Sequence, residues 1–432
     1  MPARPALLFV APTFPASTGN GLAMRNGIFL EAYARRFEVT LVVASPADKA
    51  PGLQDLSFVQ SHARRVIVLP PDLVLHPLLQ LIGRSRSAGE RRAAMRAYPQ
   101  PRPLFYDPIG AREYLAEQLS GQSFALAHAG RVYMAPLLED YFGKTRCVLD
   151  LDEDDTITLR RIAALQRANG EVAGAQDHDS EAAKFETLRQ EYLPRFELSL
   201  VANEAEAASL RARFPGSAIG VVANAARAPI RAPEDAPRIP AIDFLMVGNL
   251  SYYPNTDAAI FFCRDVLPRL GHEGRQARAT VLGHAPPPAV LALGDLPGVT
   301  VRPSVPDVAP YYRAAAVAVV PIRAGGGSRI KILEAFAYGL PVVATSIGAE
   351  GLAATDGRHL LLADTAEDFA AAAMRLLTDR ALAARLAGEA RLLLERQYSF
   401  EVVAREILAL ADSPAGVIEC ARAANPGIVR HD

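Results

Sequence analysis

One stretch, residues 321–341 (PIRAGGGSRIKILEAFAYGLP), constrains the fold and function of this chain more than any other. The apolar run Val317 to Val320 precedes it and predicts a short buried strand that Pro321 ends. A helix is expected from about Arg329 to Tyr338, with a hydroxyl side chain as its N-cap. The residues that join the strand to this helix are Gly325, Gly326, Gly327 and Ser328. A strand, a glycine turn and a helix N-terminus together form an anion site, because free N–H groups and the positive helix end face one point.

The charged residues of this helix indicate what the anion is. Arg329 and Lys331 stand in the first turn, where an isolated helix is more stable with acidic residues. Glu334 follows three residues after Lys331, so both side chains lie on one side of the helix. The functional hypothesis is a nucleotide site, in which the cation binds a diphosphate and the carboxylate binds ribose hydroxyls. The alternative is a surface Lys–Glu pair on an ordinary core helix.

The size and charge of the chain limit the remaining classes. A chain of 432 residues, half of them hydrophobic, predicts two domains of about 200 residues each. The formal net charge of −1 gives no indication of nucleic-acid binding. The three cysteines, Cys147, Cys263 and Cys420, are widely spaced and odd in number, which predicts reduced thiols in a cytoplasmic protein without a metal cluster. No stretch approaches the roughly 20 apolar residues of a membrane span.

The chain begins with an α/β pattern. Ala6 to Ala11 is a continuous apolar run, typical of a parallel strand covered on both faces, and a helix from Met24 to Phe37 and a strand from Val39 to Ala44 follow. This order predicts a right-handed crossover in a parallel sheet. The loop after the first strand lies at the sheet edge where such folds bind ligands, and its candidate acceptor-side residues are Gly19, Asn20 and Gly21. An ordinary turn is the alternative, since neither a dinucleotide fingerprint nor a Walker lysine is present.

Two later strands are expected to bring polar groups to the same sheet edge. His128 follows the predicted strand Phe124 to Ala127, where it could contact a sugar or carry a proton; a structural histidine is the alternative. The strand Val148 to Leu151 is followed by an acidic run that could bind a divalent metal. We prefer the interpretation that these acids favour the N-terminus of a helix starting near Thr156, with Asp152 or Asp154 at an acceptor hydroxyl.

An arginine-rich segment, Arg84 to Arg102, interrupts the α/β pattern. Its arginines, which Glu90 alone balances within the segment, are Arg84, Arg86, Arg91, Arg92, Arg96 and Arg102. A solvated surface is the usual outcome for such a run. The functional alternative is peripheral contact with the anionic inner face of a membrane or with a pyrophosphate-linked lipid acceptor.

The boundary between the domains is predicted in the proline- and alanine-rich stretch from Asn224 to Pro240. An N-terminal acceptor-side domain then spans residues 1–228, and a C-terminal donor-binding domain spans residues 229–399. The second half repeats the α/β pattern with the strand Asp243 to Val247, which is followed by Gly248 and Asn249. Two Rossmann-like domains are therefore expected.

Four segments resemble glycosyltransferase family 4, which has the GT-B fold of two Rossmann-like domains facing across a cleft. They are APTFPASTGNGLAMRNGIFLEAYARRFEVTLVV, SLVANEAEAASLRARFPGSAIGVVANAA, GNLSYYPNTDAAIFF and GGGSRIKILEAFAYGLPVVATSIGAEGL. The last is similar to the family's donor-site signature and is the most specific. The resemblance covers most of the chain from Leu7 to about Ala411, and it is closest to members that assemble exopolysaccharides or surface glycans. It also implies that the last helix, from residue 400, packs back on the N-terminal domain.

The resemblance implies a role for each matching residue. Glu334 matches the glutamate that binds the donor ribose, and Lys331 and Arg329 match the cations that neutralise the diphosphate. The backbone of the glycines and the Gly248–Asn249 pair would face that diphosphate, and His128 resembles a histidine near the transferred sugar. At the position of a second family glutamate, eight residues before the first, this chain has Gly326.

The expected activity is transfer of a sugar, such as a hexose, from a nucleoside-diphosphate sugar to a glycan or lipid-linked acceptor. Resemblance implies retention of the anomeric configuration. No cofactor is expected, because the nucleotide sugar is a substrate, and no metal is expected, because the cations and backbone N–H groups can stabilise the leaving diphosphate. A nucleotide-sugar epimerase of the same fold and a non-catalytic nucleotide-sugar-binding protein are the alternatives.

Overall fold

The computed structural model describes residues 4–45, 53–74, 76–227, 241–272, 275–305, 307–327 and 329–412. Backbone contacts divide the chain into two compact units. The first unit comprises Met1–Ala223 together with residues 404–412 of the last helix, and the second comprises Asn224–Val403. The sequence predicted the first boundary after residue 228, which lies outside the described residues, as do residues 228–240 of the predicted linker Asn224 to Pro240.

The described part of the first unit has a parallel sheet of seven strands with helices on it. The strands are β1 (Ala6–Ala11), β2 (Glu38–Val43), β3 (Arg65–Val68), β4 (Leu126–Gly130), β5 (Arg146–Asp152), β6 (Leu198–Val201) and β7 (Ile219–Val221). The helices are α1 (Gly21–Ala34), α2 (Leu53–His62), α3 (Pro77–Gly83), α4 (Ala88–Ala97), α5 (Pro108–Gln118), α6 (Asp155–Ala168), α7 (Val172–Tyr192) and α8 (Glu204–Arg213), with 3-10 segments at Val132–Leu138 and Leu193–Arg195.

The described part of the second unit has a second parallel sheet, of six strands. Its strands are β8 (Ile242–Val247), β11 (Ala279–Gly283), β12 (Val299–Pro303), β13 (Ala315–Val320), β14 (Val342–Ala344) and β15 (Leu361–Leu362), and β9 (Gly271–His272) and β10 (Arg275–Gln276) form a separate antiparallel pair. The helices are α9 (Tyr253–Phe261), α10 (Pro288–Leu291), α11 (Ala309–Ala314), α12 (Ile330–Ala337), α13 (Ser346–Ala349), α14 (Ala366–Thr378) and α15 (Arg380–Leu393), with π segments at Phe262–Val266 and Leu394–Tyr398 and 3-10 segments at Leu267–Arg269 and Ala292–Asp295.

The order of the strands places a ligand-binding position in each unit. In the first sheet the order is β3-β2-β1-β4-β5-β6-β7, and in the second it is β12-β11-β8-β13-β14-β15. The direction of chain progression therefore reverses between β1 and β4, and again between β8 and β13. Open α/β sheets bind ligands outside the carboxyl ends of the strands at such a reversal. The loop containing Gly19 follows β1, and the segment from Pro321 to Arg329 follows β13.

The core strands have the burial that their apolar runs predict. Leu7, Leu8, Phe9 and Val10 of β1 are at most 1% exposed, as expected for a parallel strand covered on both faces. The α/β class with two Rossmann-like units is thus confirmed. The last helix, α16 (Phe400–Asp412), is joined to the first unit by Arg146 of β5, whose guanidinium donates hydrogen bonds to the carbonyls of Leu410 and Ala411 at 2.8 and 2.5 Å.

Some helices were not predicted from the sequence. The polar residues from Gly170 to Asp179 predict a loop, and this prediction is wrong, because α7 runs through almost all of the segment. Two contacts with α6 stabilise this part of α7: His178 Nδ1 lies 2.8 Å from Gln166 Oε1, and Gly174 lets the Gln166 amide approach where a Cβ would lie only 2.6 Å away. Neither contact contributes to the hydrophobic periodicity of the sequence, from which helices are predicted. The segment from 70 to 103, where the α/β pattern of the sequence loosens, contains α3 and α4.

No helix in the described ranges combines the length and the apolar character that a membrane-spanning segment requires.

Candidate functional site

The segment between β13 and α12, residues 321–329, is called the glycine loop below. Gly325 and Gly327 have φ values of 134° and 70°, conformations that residues with a Cβ rarely adopt. The helix begins at Ile330 with Arg329 in the N-cap position and without a capping side-chain hydrogen bond. This is one residue later than the predicted cap at Ser328, which lies outside the described residues.

Arg329 stabilises the glycine loop from inside. Its guanidinium donates hydrogen bonds to the carbonyl of Gly326 and, at 3.3 Å, to that of Ile347, and the residue is 9% exposed. A Cβ on Gly325 would lie 3.1 Å from the same guanidinium, so the loop is folded closely around it. The sequence placed this cation in the first turn of the helix beside a diphosphate, whereas in the structure it is the N-cap residue and its two NH2 groups donate to backbone carbonyls.

The turn after β8, Gly248–Asn249, lies at the other side of the strand reversal. The chain passes close to the end of β11 here: a Cβ on Gly283 would lie 1.6 Å from the carbonyl oxygen of Gly248, so only glycine fits at position 283. Oδ1 of Asn249 accepts hydrogen bonds from the backbone N–H and the hydroxyl of Ser251, at 3.1 and 2.8 Å. The Asn249 side chain therefore shapes its own turn.

Asn255 of α9 joins this turn to the helix after the glycine loop. Its Oδ1 accepts a hydrogen bond from Lys331 Nζ at 2.5 Å, and its Nδ2 donates to the carbonyl of Asn249 at 2.8 Å. The amide also packs on Gly248, where a Cβ would lie 3.0 Å from it. The structure thus brings together Gly248, Asn249 and Lys331, which the sequence singled out separately.

Glu334 lies one helical turn after Lys331 and is held by a tyrosine. The hydroxyl of Tyr312, a residue that is 1% exposed, donates to Glu334 Oε2 at 3.1 Å. The Tyr312 ring stacks on that of Tyr338, with 4.8 Å between centroids and 3° between planes. Glu334 itself is only partly buried, and this hydrogen bond orients its carboxylate.

The glycine turn of the first unit begins α1. Gly19 has a φ of 107°, and Asn20 is the N-cap, with Oδ1 accepting from the backbone N–H of Ala23 at 2.9 Å. The helix starts at Gly21. The side chain of Asn20, predicted on the acceptor side, therefore has a structural task, while Gly19 and Gly21 are exposed at the turn.

The prediction that His128 stands at the end of its strand is wrong. β4 continues to Gly130, which makes His128 its central residue, and His128 is 0% exposed. Its ring packs against those of Phe9, Phe29 and Tyr33 at centroid distances of 4.7, 4.8 and 5.5 Å, and Nδ1 lies 3.1 Å from the Tyr33 hydroxyl. An imidazole enclosed in this way cannot contact a sugar in this structure.

Arg25 and Asp150 form a buried ion pair that sequence reasoning missed. The guanidinium donates to both carboxylate oxygens at 2.7 and 2.6 Å and to the carbonyl of Val222 at 3.0 Å, and both residues are at most 2% exposed. Asp152 lies 3.4 Å from the same guanidinium and has a φ of 62°. Its side chain is 16% exposed, and it is the last residue of β5, at the carboxyl edge of the sheet.

The rest of the acidic run is structural. Asp154 is the N-cap of α6, as the preferred interpretation expected, and it also pairs with Arg189 and Arg213. At 1% exposure it cannot contact an acceptor hydroxyl in this structure, which corrects that part of the hypothesis. Asp155 accepts from Arg131 at 2.5 Å. In the described part of the chain, no group of three or more metal-ligating side chains is arranged around a common point.

Comparisons with known proteins agree with this geometry. Residues 241–379 match the family model described as Glycosyl transferases group 1. This range includes the Gly248–Asn249 turn, Asn255, the glycine loop and α12. The protein is a glycosyltransferase of GT-B fold. No curated protein sequence matches the chain significantly.

Solved structures with the same fold span nearly the whole glycosyltransferase. Sucrose-phosphate synthase from Thermosynechococcus elongatus superposes with a TM-score of 0.65 at 16% identity, over 94% of this chain and 98% of that one. HepE of Anabaena, in complex with UDP and glucose, gives 0.62 at 15% identity, over 94% and 99%. WaaG, a glycosyltransferase involved in lipopolysaccharide biosynthesis, gives 0.59 at 15% identity, over 94% and 100%. At these identities the likeness shows the fold.

The two charged groups on α12 of the glycosyltransferase have shifted pKa values. Burial and the nearby Arg329 guanidinium lower the pKa of Lys331 to about 7, against the attraction of Glu334. Burial raises the pKa of Glu334 to about 6, although the Tyr312 hydrogen bond and Lys331 act in the opposite direction. Both groups therefore titrate near neutrality and are sensitive to an anion placed beside them.

Two residues of this site were missed from the sequence, Asn255 and Tyr312. They lie 76 residues before Lys331 and 22 residues before Glu334, so no local spacing relates each to its partner. A weak signal existed for Asn255, because a polar side chain in the apolar helix PNTDAAIFF is expected to have a buried partner. Nothing in the sequence around Tyr312 distinguishes it from a core tyrosine.

Proposed function

We propose that this glycosyltransferase transfers a sugar from a nucleoside-diphosphate sugar, held by its second unit, to a glycan or lipid-linked acceptor. The observation that carries the proposal is the arrangement on α12. The ammonium of Lys331 is bonded to the Asn255 amide, which is also bonded to the Gly248–Asn249 turn, and one helical turn later Tyr312 orients the carboxylate of Glu334. A cation at the strand reversal suits the diphosphate, and an oriented carboxylate suits the two hydroxyls of a ribose.

The charges in this site support a reaction that uses no metal. When the glycosidic bond to the diphosphate breaks, the leaving group gains negative charge, which a fixed cation stabilises more in the transition state than in the ground state. Lys331 supplies that cation. Backbone N–H groups at the uncapped N-terminus of α12 add to its effect. Retention of the anomeric configuration is part of the same proposal and rests on the family resemblance.

The acceptor is proposed to bind at the sheet edge of the first unit. Gly19 and Gly21 are exposed there, and the Asp152 carboxylate reaches the surface next to Arg25 and Arg131, each 3.4 Å away. A partly exposed carboxylate at this edge suits a sugar hydroxyl. Because the solved structures of the same fold include a glycosyltransferase of lipopolysaccharide biosynthesis, surface glycans are the first acceptors to test.

Nucleoside diphosphate release tests the reaction. The protein is incubated with a panel of nucleotide sugars, beginning with UDP-glucose because HepE was solved with UDP and glucose, with and without EDTA. We expect release from one donor, increased by the correct acceptor and unchanged by EDTA, and a product with the anomeric configuration of the donor. Epimerised nucleotide sugar without transfer would identify the epimerase alternative. Binding without turnover under every acceptor condition would identify a non-catalytic protein, and loss of activity in EDTA would contradict the metal-free mechanism.

We further propose a peripheral contact with an anionic membrane at the cytoplasmic face. The proposed contact uses fewer arginines than the arginine-rich segment Arg84 to Arg102 contains. Arg96 and Arg92 pair with Asp177 at 2.6 and 3.3 Å, and Arg91 donates to the carbonyl of Ser85 at 2.6 Å, so these three arginines are used within the protein. Two leucines of the adjacent α3, Leu78 and Leu81, are 50% and 63% exposed. The cations next to them along the chain are the exposed Arg84 and Arg86.

Vesicle sedimentation tests this contact. We expect binding to vesicles that contain phosphatidylglycerol and not to pure phosphatidylcholine, with a loss in the Leu78→Ser/Leu81→Ser variant, because apolar insertion and lipid charge act together. The Arg92→Ser variant, whose arginine is already paired with Asp177, should bind like the wild type. Equal sedimentation of the wild type with both lipids, or of the leucine variant with anionic lipid, would contradict the proposal.

A further inference from the structure

Asn255 occupies a position where two separate parts of the second unit meet. It is 6% exposed, and both ends of its amide are used: Oδ1 accepts from Lys331 Nζ at 2.5 Å, and Nδ2 donates to the carbonyl of Asn249 at 2.8 Å. An amide with an acceptor and a donor in fixed directions can satisfy both groups at once, which an ionised carboxylate, having no donor, cannot do.

The space around Asn255 leaves it little freedom. A Cβ on Gly248 would lie 3.0–3.1 Å from three atoms of the Asn255 amide, so the absence of a side chain at Gly248 is what admits the amide. The backbone N–H of Asn255 is itself bonded to the carbonyl of Tyr252 at 2.9 Å, in the first turn of α9. Position and orientation of the amide are therefore determined by the helix below it and the glycine beside it.

Lys331 is unusual in this chain. The sequence contains four lysines, Lys49, Lys144, Lys184 and Lys331, against 42 arginines (46 cations less four lysines). A lysine ammonium is a compact charge on a flexible stem, and it binds phosphate as a point charge, so its location depends on what holds it. The groups that act on it are the Arg329 guanidinium, which repels it, the Glu334 carboxylate, which attracts it, and the Asn255 carbonyl oxygen.

We propose that Asn255 is a positioning residue of the donor site, which holds the Lys331 ammonium against the Gly248–Asn249 turn so that both contact one diphosphate. This inference rests on the proposed function. Without the amide, Lys331 keeps its charge and its helix but loses its location, and the carbonyl of Asn249 keeps only the longer bond from the backbone N–H of Tyr252, at 3.2 Å. Asn255 acts on the donor through these two groups and does not itself contact the reacting atoms.

A double-mutant cycle tests the dependence on Lys331. Affinities of UDP, ADP and GDP are measured by calorimetry, and the nucleotide bound best by the wild type is carried through Asn255→Ala, Lys331→Ala and the double variant. We expect Asn255→Ala to weaken binding about ten- to a hundredfold, the effect of losing a hydrogen bond to a charged group. In the Lys331→Ala background the same substitution should have little further effect, because the group that it positions is absent.

Two controls separate positioning from a general loss of structure. The matching nucleoside monophosphate should lose much less affinity in Asn255→Ala, since the base and ribose contacts remain; an equal loss for both ligands would overturn the proposal. A further variant, Asn255→Asp, introduces a negative charge and is used in the titration without ligand. Its control is Asn169→Asp, which introduces the same charge at an exposed site of the first unit. Additive losses from Asn255→Ala and Lys331→Ala would overturn the role of Asn255 while leaving the proposed function intact.

A measurement without ligand distinguishes failure of the proposed function from failure of the positioning role of Asn255. Because the chain has four lysines, reductive ¹³C-methylation gives few NMR signals. The signal that disappears in the Lys331→Arg variant is that of Lys331. Asn255→Asp should move the titration of this signal to higher pH, and Asn169→Asp should not. A wild type that binds no nucleoside diphosphate would overturn the proposed function and the donor role of Asn255 together. An unmoved titration in Asn255→Asp would show that the amide does not hold the ammonium.

Discussion

The hydroxyl of Tyr312 lies 3.1 Å from Oε2 of Glu334 and is the one hydrogen-bond donor to this carboxylate among the residues that the structure describes. The tyrosine is buried and stacked on Tyr338, so it can move little. Glu334 is partly exposed, and its other oxygen, Oε1, accepts no hydrogen bond from the residues that the structure describes. A carboxylate fixed on one side and open on the other is suited to recognise a ligand with paired hydroxyls.

Removal of the Tyr312 hydroxyl should weaken binding of the nucleotide sugar. For Tyr312→Phe we expect a loss of nucleotide-sugar affinity of about tenfold or more, because a hydrogen bond to a charged group contributes about 1.5–3 kcal/mol. Tyr338→Phe keeps the stacked ring and does not touch Glu334, so it should bind like the wild type. Calorimetric titration of both variants decides between these outcomes, and equal affinities would show that Tyr312 does not orient the ribose-binding group.

Donor binding should depend on pH with two limbs. Glu334 must be ionised to accept ribose hydroxyls, so affinity should fall as the pH drops below its pKa of about 6. Lys331 must be protonated, so affinity should also fall as the pH rises above its pKa of about 7. The probe is a nucleotide sugar, whose diphosphate is esterified at both ends and does not titrate in this range.

Conservative variants assign each limb of the pH profile to one residue. Lys331→Arg should remove the fall above about pH 7, because a guanidinium stays charged there. Glu334→Gln should remove the fall below about pH 6 and lower the affinity throughout. A profile of the wild type that is flat from pH 5 to 8.5 would contradict the assignment of both groups to the donor.

The Arg25–Asp150 pair should contribute to the stability of the first unit. Arg25→Met leaves a buried carboxylate without its partner, and we expect the free energy of unfolding to fall by about 3–5 kcal/mol. The matched control is Arg64→Met, which breaks an exposed pair with Glu38 and should cost at most about 1 kcal/mol. Urea titration measures both. A loss of similar size in the two variants would show that the buried pair has no special role.

His128 should affect acid stability rather than chemistry. Burial, with a smaller effect of Arg25, lowers its pKa from 6.5 to about 3, so below pH 6.5 the unfolded chain takes up a proton that the folded protein does not. Stability is therefore lost as the pH falls, by up to about 1.4 kcal/mol per unit from this group. His128→Asn should reduce this slope between pH 6.5 and 5, whereas His284→Asn, at an exposed site, should not. An unchanged slope together with lost sugar transfer would restore the catalytic hypothesis.

The strands were predictable because burial on both faces produces continuous apolar runs. β1 has the predicted bounds, and the ends of β2, β5 and β8 differ from their predicted bounds by at most two residues. β4 is the instructive exception: its end at Gly130 rather than residue 127 moved His128 from the sheet edge into the core. A shift that is harmless for a fold prediction was decisive for a functional one, because the accessibility of a side chain changes completely over two residues.

The site was predictable only where its chemistry is local. The glycines, Lys331 and Glu334 lie within ten residues of one another, so their spacing indicates their relation. The groups that orient them, Asn255 and Tyr312, come from other elements, and only the folding of the sheet brings them near. Arg329 shows the reverse case, since its position in the sequence suggested a ligand contact while its guanidinium is bonded to the loop itself.

The most direct test of the central claim is the affinity of the preferred nucleotide sugar for three alanine variants, measured in EDTA alongside their unfolding curves. Lys331→Ala and Glu334→Ala should each weaken binding at least about tenfold with little change in the unfolding curve. Lys144→Ala, which removes an exposed lysine of the first unit, should leave the affinity unchanged. If either Lys331→Ala or Glu334→Ala retained full donor affinity, the nucleotide would not lie where α12, the glycine loop and the Gly248–Asn249 turn meet.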